Sequence, residues 1–251
     1  VNESLSTPWP DLNAHIDLHP GALILLAGPV SSGTSMAALN IATHIGFDLG
    51  HRVLLYSTEI NHHGTMSRII SERLGIDSAK MHNGGATEQE MARIKAYGPK
   101  IADTLVEIWE DSPVNIPAIR KNLQNRASSD RPTRLVMVDG LELVAMASRW
   151  NSEDGTGRGQ QQIVALRDLA REFGVTIVAT AHLSRRISWE PQATDLVSGL
   201  GEAADTVLLL HSPAADEVVV TVAKNRQGES GGRVRLSWQP EFTRLRSYGQ
   251  V

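Results

Sequence analysis

The stretch that decides the fold is "LILLAGPVSSGTSMAALNIA", residues 23 to 42. An apolar run that reads as a buried strand ends at Gly28, a short loop leads to Gly33, and a helical pattern follows. This is the layout of a phosphate-cradling loop, G-x-x-x-x-G-K-[ST], in which backbone N–H groups and a helix N-terminus hold anionic oxygens. Gly28 and Gly33 have the required spacing, and Ser35 stands where a hydroxyl would hold Mg2+. The lysine is missing, and Thr34 takes its place. The candidate ligand-holding residues are Gly28, Ser31, Ser32, Gly33, Thr34 and Ser35.

Working outward, apolar runs recur at 22–27, 52–57, 105–110, 134–139, 175–180 and 206–211. They are short, nearly continuous and bounded by turn residues, which suits strands buried on both faces. Helical patterns at 34–46, 62–74, 87–102, 115–128 and 158–173 separate most of them. The alternation predicts an α/β fold: a mostly parallel central sheet with helices on both faces. After residue 211 the pattern changes. "EVVVTVAKNR" and "GGRVRLSWQ" flank "QGESGG" and read as a C-terminal antiparallel hairpin. Ligands in such folds bind beyond the carboxyl ends of the strands. The loop at 28–35, Thr58–Glu59, Asp139 and Ala181–His182 all fall at strand ends.

Composition sets the outer limits. The chain has 251 residues, 41% hydrophobic and 21% charged, so it can bury an ordinary core. Aromatics are only 4%, so that core rests on Leu, Ile, Val and Ala. Without cysteine there are no disulfides, thiolate metal sites or cysteine nucleophile, which fits a reducing, cytoplasmic setting. No apolar run approaches the ~18 residues of a membrane span. The polar start "VNESLSTPWP" is not a signal peptide, and Val1 in place of Met suggests a processed or excised piece. Residues 1–20 read as a lead-in segment or linker and 21–251 as one domain. Net charge is −4, so any nucleic-acid binding must use a local basic strip.

Two other readings of the loop compete. "GTSMA" (33–37) resembles the nucleophile segment of subtilisin-like serine proteases, and "HGT" (63–65) resembles their histidine segment. That family runs Asp, His, Ser along the chain, whereas the order here would be Ser35, His63, Asp139. The other reading is a plain Gly/Ser turn between a strand and a helix. The rest of the chain decides against both.

From about Leu5 onward, the chain resembles the RecA-like motor domain of DnaB-type replicative helicases. "STPWPDLNAHI" and "HPGALILLAGPVSSGTS" resemble the family's opening segment and Walker A; "VLLYSTEI" resembles the strand ending in a catalytic glutamate, here Glu59. "IWEDSPVNIPAIRKNLQNRA" precedes "RLVMVDGLELV", which resembles Walker B with Asp139. "GQQQIVALRDLAREFGVTIVATAHLSRR" resembles the helix and strand leading to a sensor glutamine, here His182. "TDLVSGLGEAADTVLLL" and "VVVTVAKNRQGESGGRVRL" complete the order, the last with a Lys-x-Arg pair, Lys224 and Arg226.

The resemblance implies a RecA-like P-loop NTPase core that uses ATP or another NTP with Mg2+. Glu59 would position or polarise the attacking water, Asp139 and Ser35 would hold the metal, and His182 would sense the terminal phosphate. Lys224 and Arg226 would act in a neighbouring subunit's site, which implies a homo-oligomeric ring of six. Single-stranded DNA would thread that ring against two loops, 148–160 with Arg149 and Arg158, and 184–190 with Arg185, Arg186 and Trp189. A replication loader or initiator protein is a further implied partner, and no membrane is.

The sequence departs from the family pattern at Thr34, at His182 and at Val197–Ser198, where charged residues are usual. Another subunit's Lys224 or Arg226 is the expected substitute for the missing lysine. Two functions stay open: an ATP-driven DNA translocase or helicase, and a catalytically impaired nucleotide-binding scaffold or regulatory replication protein. A recombinase-like or KaiC-like ATPase is a more distant alternative.

Overall fold

A computed structural model of the chain describes residues 3–109, 114–144, 155–183, 191–196 and 199–248. In chain order its elements are α1 (Pro10–Asn13), β1 (Leu23–Gly28), α2 (Thr34–Thr43), β2 (Arg52–Ser57), α3 (His62–Leu74), α4 (Ser78–His82) and α5 (Glu88–Ala102). There follow β3 (Val106–Trp109), α6 (Ile116–Ala127), β4 (Thr133–Asp139), α7 (Gly155–Phe173), β5 (Thr176–His182) and α8 (Leu200–Ala203). The chain closes with β6 (Thr206–Ala214), β7 (Glu217–Asn225), β8 (Arg233–Gln239) and β9 (Arg244–Ser247).

The strands form one sheet in the order β3-β2-β4-β5-β1-β6-β7-β8-β9. From β3 to β6 every pairing is parallel. From β6 to β9 every pairing is antiparallel. The expected hairpin is therefore the middle of a longer meander. β9 escapes notice because its four residues, "RLRS", alternate charged and small groups around a single buried leucine, Leu245.

Alternating residues of β1 explain its unbroken apolar run. Leu23, Leu25 and Ala27 pack into one core with Ile119 and Leu123 of α6 and Ile163, Leu166 and Leu169 of α7. Ile24 and Leu26 pack into the other with Ala38 and Ile41 of α2, Ile69 of α3 and Trp9. Both faces are covered, as a parallel sheet requires.

Local signals set the helix bounds. Asn61 caps α3 by accepting from Gly64 N, and Gly75, with φ of 61°, ends it. Thr87 and Glu90 form a reciprocal capping box on α5. α7 begins at Gly155, so the supposed loop at 148–160 is helical from 155 onward and Arg158 lies on a helix rather than a loop. A glycine-rich start with no apolar stripe hid that first turn. The segment before β1 is stitched to the far edge of the sheet. Leu5 pairs with Leu18, and the buried Trp9 donates through Nε1 to Leu245 O at 3.0 Å. Buried Asn40 of α2 also binds this edge, donating to Thr243 O at 3.0 Å and accepting from Leu245 N at 2.8 Å. Among the described residues no helix is long and apolar enough to cross a membrane.

Candidate functional site

The loop after β1 is shaped by two left-handed residues, Ser31 with φ of 65° and Gly33 with φ of 87°. Such turns aim successive N–H groups into one concavity. α2 begins directly behind, with Ala37 N donating to Gly33 O at 2.8 Å as its first turn closes. The opening N–H groups of α2 therefore have no intrahelical acceptor, and the helix dipole favours an anion there. Gly28 is needed for space: a Cβ there would lie 2.2 Å from Ser32 Oγ and 2.5 Å from Leu210 O. Ser32 Oγ is buried and has no hydrogen-bond partner. A cradle that tolerates no Cβ, lined by an orphaned hydroxyl, fits a polyphosphate. Thr34 is buried, and its hydroxyl carries no charge to offer an anion.

The partners of this loop come from the neighbouring strand ends. Gly28 is in register with His182 across β1 and β5, and Ser57 with Asp139 across β2 and β4. Glu59, just beyond β2, lies with Oε1 3.8 Å from His182 Nδ1. The backbone N of His182 donates to Glu142 Oε1 at 2.6 Å. Asp139 Oδ1 accepts from Thr180 Oγ1 at 2.8 Å, and Thr180 Oγ1 accepts in turn from Gly140 N at 2.8 Å. Thr58 Oγ1 donates to Asp139 O at 2.6 Å, tying β2 to β4 at the edge. Ser35 and Asp139 line a single cleft between α2 and α3. The structure thus gathers Gly28, Ser31, Ser32, Gly33, Thr34, Ser35, Glu59, Asp139 and His182 along one edge. Among the described residues no three acids or histidines cluster as a protein-only metal site. A hydroxyl and a carboxylate in one cleft fit Mg2+, which keeps waters and substrate phosphates among its ligands.

Thr58 falls at the strand end where the sequence placed it, whereas Thr180 and Glu142 were missed. A threonine inside a buried strand such as β5 has no distinctive pattern, although Glu142 stands only three residues beyond Asp139.

Lys224 and Arg226 lie elsewhere. Val207 pairs with Lys224 near the start of β6, beside the start of β1. That is the opposite edge of the sheet, a full strand length or about 20 Å from the loop. Lys224 Nζ donates to Gly201 O, Glu202 O and Ala204 O at 2.8, 2.9 and 2.7 Å. Burial, and then the neighbouring Arg226, lower its pKa from the ordinary lysine value. Arg226 NH1 pairs with Asp205 Oδ1 at 3.0 Å, and Asp205 Oδ2 also accepts from Leu23 N at 3.0 Å. Neither cation reaches the loop of its own chain. Of the expected nucleic-acid residues, Arg149, Arg185 and Arg186 lie outside the described residues, as do Trp189, Val197 and Ser198. Arg158 is placed by its backbone on α7.

A parallel sheet with a phosphate-type loop after β1, acids at the carboxyl ends of β2 and β4, and an antiparallel extension defines a RecA-like ATPase domain fold. A solved DnaB-like replicative helicase, described with its interactions with primase, superposes with a TM-score of 0.86. It is 22% identical, and the match covers 96% of this chain and 61% of that one. The chain belongs to the DnaB-like helicase C-terminal domain family, whose model matches residues 4–247. It is 26% identical over 261 residues to the probable plasmid replicative DNA helicase of Chlamydia muridarum (strain MoPn / Nigg), covering 99% of this chain and 56% of that protein. It is 27% identical over 250 residues to the replicative DNA helicase DnaB of Leifsonia xyli subsp. xyli, covering 91% and 52%. The chain therefore spans about half the length of the curated relatives it matches.

Proposed function

We propose that this chain binds ATP or another nucleoside triphosphate with Mg2+ and couples its hydrolysis to movement on single-stranded DNA. The observation that carries this reading is the 3.8 Å approach of Glu59 to His182, in register with the Gly28 loop and beside Asp139. The loop N–H groups and Ser32 hold phosphate oxygens. Ser35 and Asp139 hold Mg2+, which neutralises charge on the phosphates when bound. Glu59 holds the attacking water and takes its proton as the bond from the terminal phosphorus to the bridging oxygen breaks, releasing the nucleoside diphosphate and inorganic phosphate. His182, held by Glu142 through its backbone, reports the state of that phosphate to the segment that follows it.

Lys224 and Arg226 act on the site of a neighbouring copy, since their own loop is a strand length away. A closed ring, of six copies as the resemblance implies, meets that need, with single-stranded DNA against 148–160 and 184–190. A replication loader or initiator protein and a cytoplasmic setting belong to the same reading. The test is steady-state NTP turnover with and without single-stranded DNA. Turnover at or below that of Glu59→Gln, at every oligonucleotide concentration, would end it.

Thr34 favours a second reading. A buried, uncharged residue in the lysine position suits a scaffold that binds nucleotide and assembles without turning it over. That scaffold would show nucleotide-dependent growth in mass by light scattering with no phosphate release.

A further inference from the structure

Thr34 leaves the loop without a cation, yet the fold supplies one from another element. Arg68 lies on α3, three residues after Thr65, so the two share a helix face. Both line the cleft that holds Ser35 and Asp139, over an apolar floor of Leu55 and Met137. Arg68 is half-buried and takes no hydrogen-bond or ion-pair partner among the described residues, although Asp139 shares its cleft. Other half-buried arginines are engaged: Arg73 with Asp48, Arg126 with Glu107, and Arg244 with Glu72 O. A guanidinium kept partly out of water without a counter-charge costs stability. An anionic ligand in the cleft would remove that cost.

We propose that Arg68 is the phosphate-holding cation of this site, gripping the terminal phosphate of a nucleoside triphosphate in place of the lysine that Thr34 displaces. The inference rests on the nucleotide reading above. Guanidinium is always charged, and its planar fork matches two phosphate oxygens at once. α3 is capped at Asn61, two residues beyond Glu59. A grip on the phosphate by Arg68 therefore also fixes the start of the helix that carries the Glu59 turn. Lys224 and Arg226 remain available for their separate role between copies.

The test measures affinities for a non-hydrolysable ATP analogue and for ADP, both with Mg2+, at one fixed protein concentration. The proteins are the wild type, Arg68→Ala, Arg68→Gln, Thr34→Lys and Thr34→Lys/Arg68→Ala. Loss of a charge-assisted phosphate contact should weaken the triphosphate analogue on the order of 10- to 100-fold in both Arg68 variants. ADP, without the terminal phosphate, should change less than about threefold, and Thr34→Lys should restore triphosphate binding to Arg68→Ala. Arg68→Gln keeps the carbon stem out to Cδ and its packing while removing the guanidinium, so it carries the test if the alanine variant unfolds. Wild-type affinity in the Arg68 variants would overturn the proposal and leave the nucleotide reading standing. Equal losses for both nucleotides would also overturn it, since a purely structural role predicts them. A wild type that binds neither nucleotide would bring down the nucleotide reading itself.

Discussion

A methyl group at Gly28 tests whether the loop's shape is set by close approach. The added Cβ would lie 2.2 Å from Ser32 Oγ, 3.2 Å from Ser32 Cβ and 2.5 Å from Leu210 O. Gly28 is not among the residues with positive φ, so the cost is steric rather than torsional. Ser32 is buried and cannot swing away freely. Leu210 O is backbone in a strand paired to β7 through Val220, so relief there means shifting β6. Overpacking of this kind costs about 1–3 kcal/mol. The shift also moves the start of the phosphate loop, and a misplacement near 1 Å can cost ~10²-fold in rate. Gly28→Ala should therefore lower both the melting temperature and triphosphate affinity. Gly174→Ala is the matched control. Its φ of 61° makes a side chain strained, by roughly 1–2 kcal/mol, but nothing lies within 4 Å and it sits between α7 and β5, at the edge away from the loop. It should lose stability with affinity unchanged. Equal melting temperatures for Gly28→Ala and wild type, with equal affinities, would refute the steric argument.

Three further outcomes follow from the geometry. Asp139→Asn keeps an oxygen to accept from Thr180 Oγ1 but removes the charge, so the fold should hold while triphosphate affinity stops responding to Mg2+, read by titration with and without EDTA. Trp9→Ala should cost ~3–5 kcal/mol in urea unfolding, because it empties a fully buried site and orphans Leu245 O. Glu72 is nearly fully buried, and that burial, opposed by Arg73, Thr43 and Arg244, raises its pKa above the ordinary glutamate value. A raised value means the fold prefers the protonated form; the stability it adds is present at low pH and is lost as pH rises through the folded value. Glu72→Gln should thus melt higher than wild type at pH 8, and the gap should close toward pH 4; a constant gap across that range would contradict the assignment.

Much of the fold was legible because local and global signals agree. The helix expected at 62–74 is α3 to the residue, since Asn61 starts it and Gly75 stops it. The six apolar runs became β1 to β6: burial on both faces leaves few polar positions to blur β1, β2, β4 and β5, and the half-buried edge strand β3 keeps its apolar pattern despite Glu107. β9 was illegible: four residues held by Trp9 and Asn40, more than 200 positions away, leave no pattern of their own. The site divides in the same way. Gly28, Glu59 and Asp139 stand at strand ends that the sequence marks, whereas Thr180 and Arg68 become part of the site only when β5 and α3 are placed beside β4 and α2. Asp205 is a third such case, joining the start of β1 to Arg226 through contacts that no spacing records.

Charge at the two edges of the sheet argues for assembly independently of any likeness to other proteins. The carboxyl edge gathers Glu59, Asp139 and Glu142, with Arg68 as the cation lining its cleft. A triphosphate brought there meets more negative charge than positive, in a partly desolvated cleft where such interactions are strong. Mg2+ offsets part of this. The remaining cations with no place in their own site, Lys224 and Arg226, sit at the opposite edge and satisfy themselves on Asp205 and the end of α8. Stacking one copy's β6 edge against the next copy's loop would bring these cations to the acidic cleft, in exchange for their contacts with Asp205 and the end of α8. Nucleotide affinity should then rise with protein concentration and fall with salt. An isolated chain that bound triphosphate equally well at nanomolar and micromolar protein would mean that the cleft already holds enough positive charge by itself.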